Sequence, residues 1–308
     1  MRHLLDVDEL GAAEIDAILR DAARYRRAYE AGKPGSSLAG RRVALLFAEP
    51  STRTRLSFEM AARALGGETF VLDPSGSSLV KGESLADTAR TLAALGTHVL
   101  VMRHHRAGSP WVAARQFAGS VVNAGDGWHA HPTQALLDLF TLRSTLGGAD
   151  LRGRKVAIVG DLRHSRVARS NAWTLTADGA ELWACGPAGW LRGWESVAAG
   201  LPTGSRLELT DDLSAALRGA DAVMALRVQK ERMRGADLSL DEYVARYQLT
   251  AARLARAAPE ALFMHPGPIN EGVEVSAEVA RGPRSLVNEQ VRNGVPVRMA
   301  ALARLSGG

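Results

Sequence analysis

Short apolar runs of about five residues alternate with longer segments whose apolar positions recur every three or four residues, and this rhythm persists along most of the chain. Residues 8–31 predict an amphipathic helix, with Leu10, Ile15, Ile18, Leu19, Ala22 and Tyr25 near a 3.6-residue period. Gly32-Lys33-Pro34-Gly35 ends it. Strands follow at 42–47, 69–72, 98–102 and 120–123, separated by helices at 52–65, 84–95 and 110–118. Runs this apolar, spaced by helices, are expected of a parallel sheet covered on both faces.

A long helix from His131 to Leu146 takes Pro132 at its first position and stops at Gly147-Gly148. The glycine-containing stretch 147–153 is the expected hinge, and beyond it the alternation begins again. Strands are predicted at 155–159, 181–184, 206–209, 221–226 and 261–264, with helices at 165–178, 190–198, 211–218, 240–247, 250–257 and about 285–305. The fold class is therefore α/β, in two domains, each a mostly parallel sheet flanked by helices. The expected division is 1–147 and 148–284, with the helix of about 285–308 packing back onto the first domain.

Composition narrows the class. With 308 residues and 46% apolar positions, the chain has ample material for a globular core. No apolar run reaches the length that crosses a bilayer, and the start lacks a signal-like stretch, so a cytoplasmic protein without membrane contact is expected. The single cysteine, Cys185, excludes an intrachain disulfide and a cysteine-rich zinc site. The net charge of +5 is spread among interleaved acids, without the aromatic-bearing basic run that stacks on bases, so nucleic acid is not the expected partner. A cationic site for small anions explains the charge as well. Lysine stands only at 33, 81, 155 and 230, which draws the eye to Lys81 in a loop.

The turn Glu49-Pro50-Ser51-Thr52-Arg53-Thr54-Arg55 follows an apolar run and opens a helix. Ser51 is a good N-cap, yet Arg53 and Arg55 add cations to a helix end that is already positive. That arrangement suits a helix that receives an anion on its N–H groups, hydroxyls and guanidinium forks. An ordinary cap with solvated arginines is the alternative.

Other unusual polar residues also fall just after strands, where parallel sheets bind ligands: Arg103-His104-His105, residues 123–131, residues 161–166, residues 227–232 and His265-Pro266-Gly267-Pro268. His131-Pro132-Thr133-Gln134 reads equally as a substrate contact or as a capping pair. His129 and His131 lack the carboxylate or cysteine partners of a zinc site, so no metal is expected. Val156 to Asp161 looks like the first strand of a dinucleotide fold, but the second and third glycines of that fingerprint are missing. Arg166, at a helix start, is instead offered to a carboxylate. The polar loop of residues 75–84 reads as a mobile surface loop on composition alone.

Taken together, Ser51-Thr52-Arg53-Thr54-Arg55-Leu56-Ser57-Phe58-Glu59, Lys81-Gly82-Glu83-Ser84, Met102-Arg103-His104, Asn123-Ala124-Gly125-Asp126-Gly127, His131-Pro132-Thr133-Gln134, Val159-Gly160-Asp161, residues 227–232 and His265-Pro266-Gly267-Pro268 resemble the aspartate/ornithine carbamoyltransferase superfamily. Within it, they are most similar to aspartate carbamoyltransferase catalytic chains. The resemblance implies an active site in the interdomain cleft. It implies that Ser51, Thr52, Arg53 and Thr54 hold the phosphate of carbamoyl phosphate, and that Thr54, Arg103 and His131 polarise the carbamoyl oxygen. Gln134 and the backbone around Gly267 and Pro268 would hold the carbamoyl nitrogen. Arg166, Arg227 and Gln229 would grip the carboxylates of L-aspartate, with Lys81 and Ser78 reaching in from a neighbouring subunit of a homotrimer. Glu49 would pair with Arg166 or Arg232 and hold the closed form. The implied reaction belongs to pyrimidine biosynthesis and needs no cofactor. Regulatory chains or a dihydroorotase are the implied partners of any higher assembly.

Ornithine carbamoyltransferases share the phosphate signature but typically carry His-Cys-Leu-Pro where this chain has His265-Pro266-Gly267-Pro268. A non-catalytic homologue that binds small anions is the other alternative. One departure stands out: related chains commonly continue Asn-Arg-Gly after the proline, whereas Asn270 is followed here by Glu271 and Gly272.

Overall fold

The computed structural model describes residues 1–73, 76, 78–228, 238–258 and 260–306. It divides into two compact units, Met1–Phe140 with Val291–Gly308, and Thr141–Gln290.

The first unit holds a four-stranded parallel sheet in the order β2-β1-β3-β4, formed by Arg42–Phe47 (β1), Glu68–Leu72 (β2), Val99–His104 (β3) and Ser120–Asp126 (β4). The two edges of the sheet differ in burial: β4 is buried throughout, with Leu4 of the N-terminal segment paired to it, whereas β2 is open. Central β1 and β3 are almost wholly buried, whereas edge strand β2 leaves Phe70 and Val71 exposed. Helix α1 (Ala12–Glu30) buries Ile15, Ile18, Leu19, Ala22 and Tyr25, the face its periodicity predicts. Helices α2 (Thr52–Ala64), α3 (Leu85–Ala94) and α4 (Ser109–Ala114) connect the strands. Between β2 and α3, the loop read as mobile contains a 3-10 turn, Ser78–Lys81. Strand β4 runs three residues beyond its expected end, because after a register shift its pairing with β3 resumes at His104 and Asp126; on its other side Leu4 donates to Val121 O at 2.9 Å, and Asn123 donates to Leu4 O at 2.8 Å.

Helix α5 (Pro132–Leu146) contains the boundary between the units and is buried along its first turns. The second unit has a five-stranded parallel sheet in the order β7-β6-β5-β8-β9, made of Lys155–Val159 (β5), Glu181–Cys185 (β6), Arg206–Thr210 (β7), Ala222–Ala225 (β8) and Leu262–Met264 (β9). Helix α6 is Arg166–Ala177. The single helix expected at 190–198 is two, Ala188–Leu191 (α7) and Trp194–Gly200 (α8), separated at Gly193, whose φ of +86° a glycine adopts without strain. Helices α9 (Leu213–Leu217), α10 (Leu240–Tyr247), α11 (Ala251–Leu254) and α12 (Ala277–Ala280) complete this unit. The capping box of Ser239 and Glu242 starts α10.

The last helix, α13 (Val287–Ser306), returns to the first unit. There, Arg304 pairs with Asp21 at 2.7 Å, and Ser120 Oγ donates to Leu305 O at 3.2 Å. Among the described residues, no helix is long and apolar enough to cross a membrane.

Candidate active site

In the first unit, β1, β3 and β4 are neighbours, and their carboxyl ends gather the expected anion-binding residues. Phe47 lies in register with Arg103, and Ala48 donates to Arg103 O at 2.9 Å, so the turn at 49–55 leaves the sheet beside Arg103. Arg103 is largely buried and donates through Nη2 to Glu49 Oε1 at 2.7 Å. This partner, in its own unit, was not suggested by the sequence.

The first turn of α2 is built to stay open. Ser51 has the extended φ and ψ of an N-cap, yet its side chain makes no capping hydrogen bond, and no acidic residue occupies the first turn. Thr54 is buried, and Ser57 Oγ donates back to the carbonyls of Arg53 and Thr54 at 2.7 and 3.0 Å, tying the turn to the helix. Thr52 and Arg53 are exposed, and Arg53 makes no ion pair among the described residues. The uncapped N–H groups, the dipole and Arg53 together make this helix end electropositive.

His131 enters through a folded loop. Asn123 Nδ2 donates to Leu5 O at 2.9 Å and to Asp126 Oδ1 at 2.8 Å, while Gly125 N–H donates to Asn123 Oδ1 at 2.8 Å. Asp126, fully buried, also accepts from Ala130 N–H at 3.1 Å and Gly108 N–H at 2.7 Å. Five hydrogen bonds thus fix the path from β4 to α5, and buried His131 stands at its end, its carbonyl accepting from Gln134 and Ala135. His129 lies 3.4 Å from Asp126 and 3.6 Å from Asp6, and the Asp126 hydrogen bond raises its pKa. Burial, with Asp8 nearby, pushes the Asp6 carboxyl up to about 7. Sequence reasoning missed Asp6, Asp126 and His129 as parts of the loop that leads to His131, because Asp6 is distant in sequence and is brought there by the bonds of Leu4 and Leu5 to β4.

In the second unit, β5, β8 and β9 are neighbours, and each releases one element of the expected amino-acid side. After β5, Asp161 is held against His164, whose Nδ1 lies 2.9 Å from Asp161 Oδ1. Ser165 then caps α6 by accepting from Ala168 N–H at 3.1 Å, which places Arg166 in the first turn. Gly160 is required where β5 ends: its φ is +129°, and a Cβ there would meet Leu226 O and Tyr243 Oη at 3.1 Å. Arg227 follows β8 directly.

The segment after β9 is held by a buried network. Gln290 Oε1 accepts from His265 N–H at 2.9 Å, and His265 Nδ1 accepts from Gly267 N–H at 2.8 Å. The His265 Nε2–H therefore faces Glu274 Oε1, 3.2 Å away, which also accepts from Asn270 N–H at 2.6 Å. Asn270 Nδ2 reaches Val228 O at 3.1 Å and joins this segment to the exit of β8. His265 is thus a support for Gly267 and Pro268, whose joining peptide is cis. Glu271 forms a forked pair with Arg281, three contacts of 2.8–3.2 Å, so its charge is balanced within the unit.

Lys81 is exposed at the end of the 3-10 turn, and its side chain makes no hydrogen bond or ion pair among the described residues. Gln229 and Arg232 lie outside the described residues, as do Ser75, Ser77 and the side chain of Ser78.

Two family models match the chain: "Aspartate/ornithine carbamoyltransferase, carbamoyl-P binding domain" over residues 2–144, and "Aspartate/ornithine carbamoyltransferase, Asp/Orn binding domain" over 152–305. The chain belongs to the aspartate/ornithine carbamoyltransferase family. Among carbamoyltransferase sequences, the aspartate carbamoyltransferase catalytic subunit of Roseiflexus sp. strain RS-1 is 51% identical over 308 residues, covering 99% of this chain and 95% of its own. Ornithine carbamoyltransferase from Pyrococcus furiosus matches the fold with a TM-score of 0.88 at 30% identity, over 100% of this chain and 97% of its own. Aspartate transcarbamoylase from Trypanosoma cruzi, in complex with N-(phosphonacetyl)-L-aspartic acid, matches with 0.85 at 33% identity, over 98% and 95%. Carbamoyltransferases of both substrate types therefore share this backbone, and the choice between them rests on side chains.

Proposed function

We propose that this chain is the catalytic subunit of an aspartate carbamoyltransferase, which transfers the carbamoyl group of carbamoyl phosphate to L-aspartate, giving N-carbamoyl-L-aspartate and phosphate. The observation that carries the choice of acceptor is the pair of guanidiniums, Arg166 and Arg227, at the exits of adjacent strands β5 and β8. Two forks suit a dicarboxylate, whereas ornithine carries one carboxylate and an α-ammonium that needs an acidic contact.

Phosphate is received by the open first turn of α2, with Ser51, Thr52, Arg53 and Thr54. The deprotonated amine of aspartate attacks the carbamoyl carbon; as the C–N bond forms, charge gathers on the carbamoyl oxygen, where Thr54, Arg103 and His131 donate to it. The carbon–phosphate oxygen bond then breaks, and phosphate leaves with the proton lost by the amine. Gln134 and the backbone of Gly267 and Pro268 hold the carbamoyl nitrogen, while Gln229 assists Arg166 and Arg227. Fixing two anions in line supplies much of the rate. Glu49 occupies Arg103 before the substrate arrives, and its release frees a carboxylate to meet Arg166 or Arg232 on closure across an interdomain cleft. The domains act as 1–147, with 285–308, on carbamoyl phosphate and as 148–284 on aspartate.

The protein works in the cytoplasm as a homotrimer in which Lys81 completes a neighbour's site. Exposed Leu56 and Met60 on α2 and Phe70 and Val71 on β2, linked by Arg63 to Thr69 at 2.9 Å, are apolar surface that such an assembly would cover. Regulatory chains or a dihydroorotase are the partners of a larger assembly.

Purified protein supplied with carbamoyl phosphate and either aspartate or ornithine tests the reading. N-carbamoyl-aspartate is the expected product; citrulline instead would overturn the acceptor assignment. For the shared site, inactive Lys81→Ala and Arg53→Ala proteins, mixed and reassembled, should regain activity.

A further inference from the structure

Gln134 and Asp138 lie one turn apart on α5, and Gln134 Nε2 donates to Asp138 Oδ1 at 2.9 Å, both residues being buried. An ionised carboxylate has no hydrogen to give, so the end of the amide that faces it is the NH2. Gln134 Oε1 makes no hydrogen bond among the described residues. On α13, buried Arg298 lies over the Phe58 ring at 5.0 Å and within electrostatic reach of Asp138.

We propose that Asp138 is a positioning residue that sets which end of the Gln134 amide a ligand meets, leaving Oε1 to accept N–H donors and so selecting a carbamoyl group over an acyl group of the same shape. This rests on carbamoyl phosphate being the substrate. A carbamoyl NH2 is a donor. Were the Gln134 amide reversed, its own NH2 would confront the substrate's, donor against donor. Acetyl phosphate carries the same phosphate and carbonyl with a methyl in place of the NH2, and it gains nothing from Oε1.

The test compares carbamoyl phosphate, as substrate, with acetyl phosphate, as competing ligand. Asp138→Leu should raise the KM for carbamoyl phosphate about tenfold, the loss of one buried hydrogen bond, while the inhibition constant of acetyl phosphate stays within about twofold. Asp138→Asn keeps an acceptor oxygen in place and should recover most of the selectivity. Because Asp138→Leu leaves Arg298 buried without its neighbour, Asp138→Leu/Arg298→Met serves if the single variant fails to fold. In the wild-type protein without substrate, the Gln134 side-chain amide hydrogens should exchange slowly, as read by NMR on glutamine-labelled protein. A freely exchanging Gln134 amide, or equal weakening of both ligands in Asp138→Leu, would overturn the positioning role. Absence of turnover by the wild type would instead overturn the substrate on which the proposal rests.

Discussion

Helices α2 and α6 start in the same way and are finished differently. Each leaves a central strand of its parallel sheet, each is preceded by a serine with extended backbone angles, and each has arginine but no acid in its first turn. Ser165 caps α6, accepting from Ala168 N–H, whereas Ser51 leaves the first N–H groups of α2 without a side-chain cap. A capped helix has spent part of its positive end and presents only its guanidinium, which fits one carboxylate. An uncapped one presents backbone donors, dipole and guanidinium together, which fits the three oxygens of a phosphate. On the proposed reading, one device repeated in two units differs by a single hydrogen bond, and that difference matches the two anions.

Arg53→Ala is the strongest way to break this comparison. On the proposed reading Arg53 holds the phosphate leaving group, so its removal should lower kcat/KM by about a thousandfold or more. Stability should barely change, since Arg53 is exposed and without an ion pair among the described residues. Inorganic phosphate should raise the Tm of the wild type and not that of the variant. A variant that still gains stability from phosphate would show that the anion binds elsewhere.

Arg166→Ala should cost less and on the other substrate. We expect the aspartate KM to rise about a hundredfold, with carbamoyl phosphate affinity by calorimetry near the wild-type value. If both substrates weakened together, α2 and α6 would not divide the work as their caps suggest.

How much of this was legible in the sequence depends on the reach of the interaction. Alternation of strands and helices survived because it is written in local periodicity, and Arg53, Arg103 and Arg166 could be singled out because ligands gather at strand ends. The supports were hidden. Asp126 stands in the sequence only within the motif 123–127, and its side chain's four polar partners, Asn123, His129, Ala130 and Gly108 at the start of α4, are gathered only by folding. His265 looked like a ligand-facing histidine and is instead a buried brace between Gly267 and Glu274. Gln134 and Asp138, four apart on one helix, were the exception: that spacing was a readable signal. Glu271 seemed a charge reversal near a phosphate loop, and only folding brought Arg281 to balance it.

The loop that delivers His131 should carry a pH signature. Asp6 has its ordinary pKa of 3.8 when unfolded and about 7 when buried, so folding takes up a proton between those values. Stability should therefore fall as pH climbs through that window, with the full penalty above it. His129 acts in the same direction, since a raised histidine pKa gives stability that is lost as pH rises past it. A Tm lower by about 2–5 °C at pH 8 than at pH 6 is expected, and Asp6→Asn should flatten the difference. An unchanged slope in Asp6→Asn would remove Asp6 as the cause.

The smallest effect is the most direct test of the two caps. Ser165→Ala removes a hydrogen bond that exists, and the α6 N–H it served must turn to water, so unfolding should become easier by about 1 kcal/mol. Ser51→Ala removes a hydroxyl that makes no capping bond, and stability should shift by less than about 0.5 kcal/mol. Phosphate reverses the ranking. With saturating phosphate, Ser51→Ala should lose part of the ligand-induced rise in Tm, because its hydroxyl is then a phosphate donor, whereas Ser165→Ala should keep that rise in full. Equal stability losses without ligand would mean that Ser51 caps α2 in solution, and the difference between the helices would then have to come from Arg53 alone.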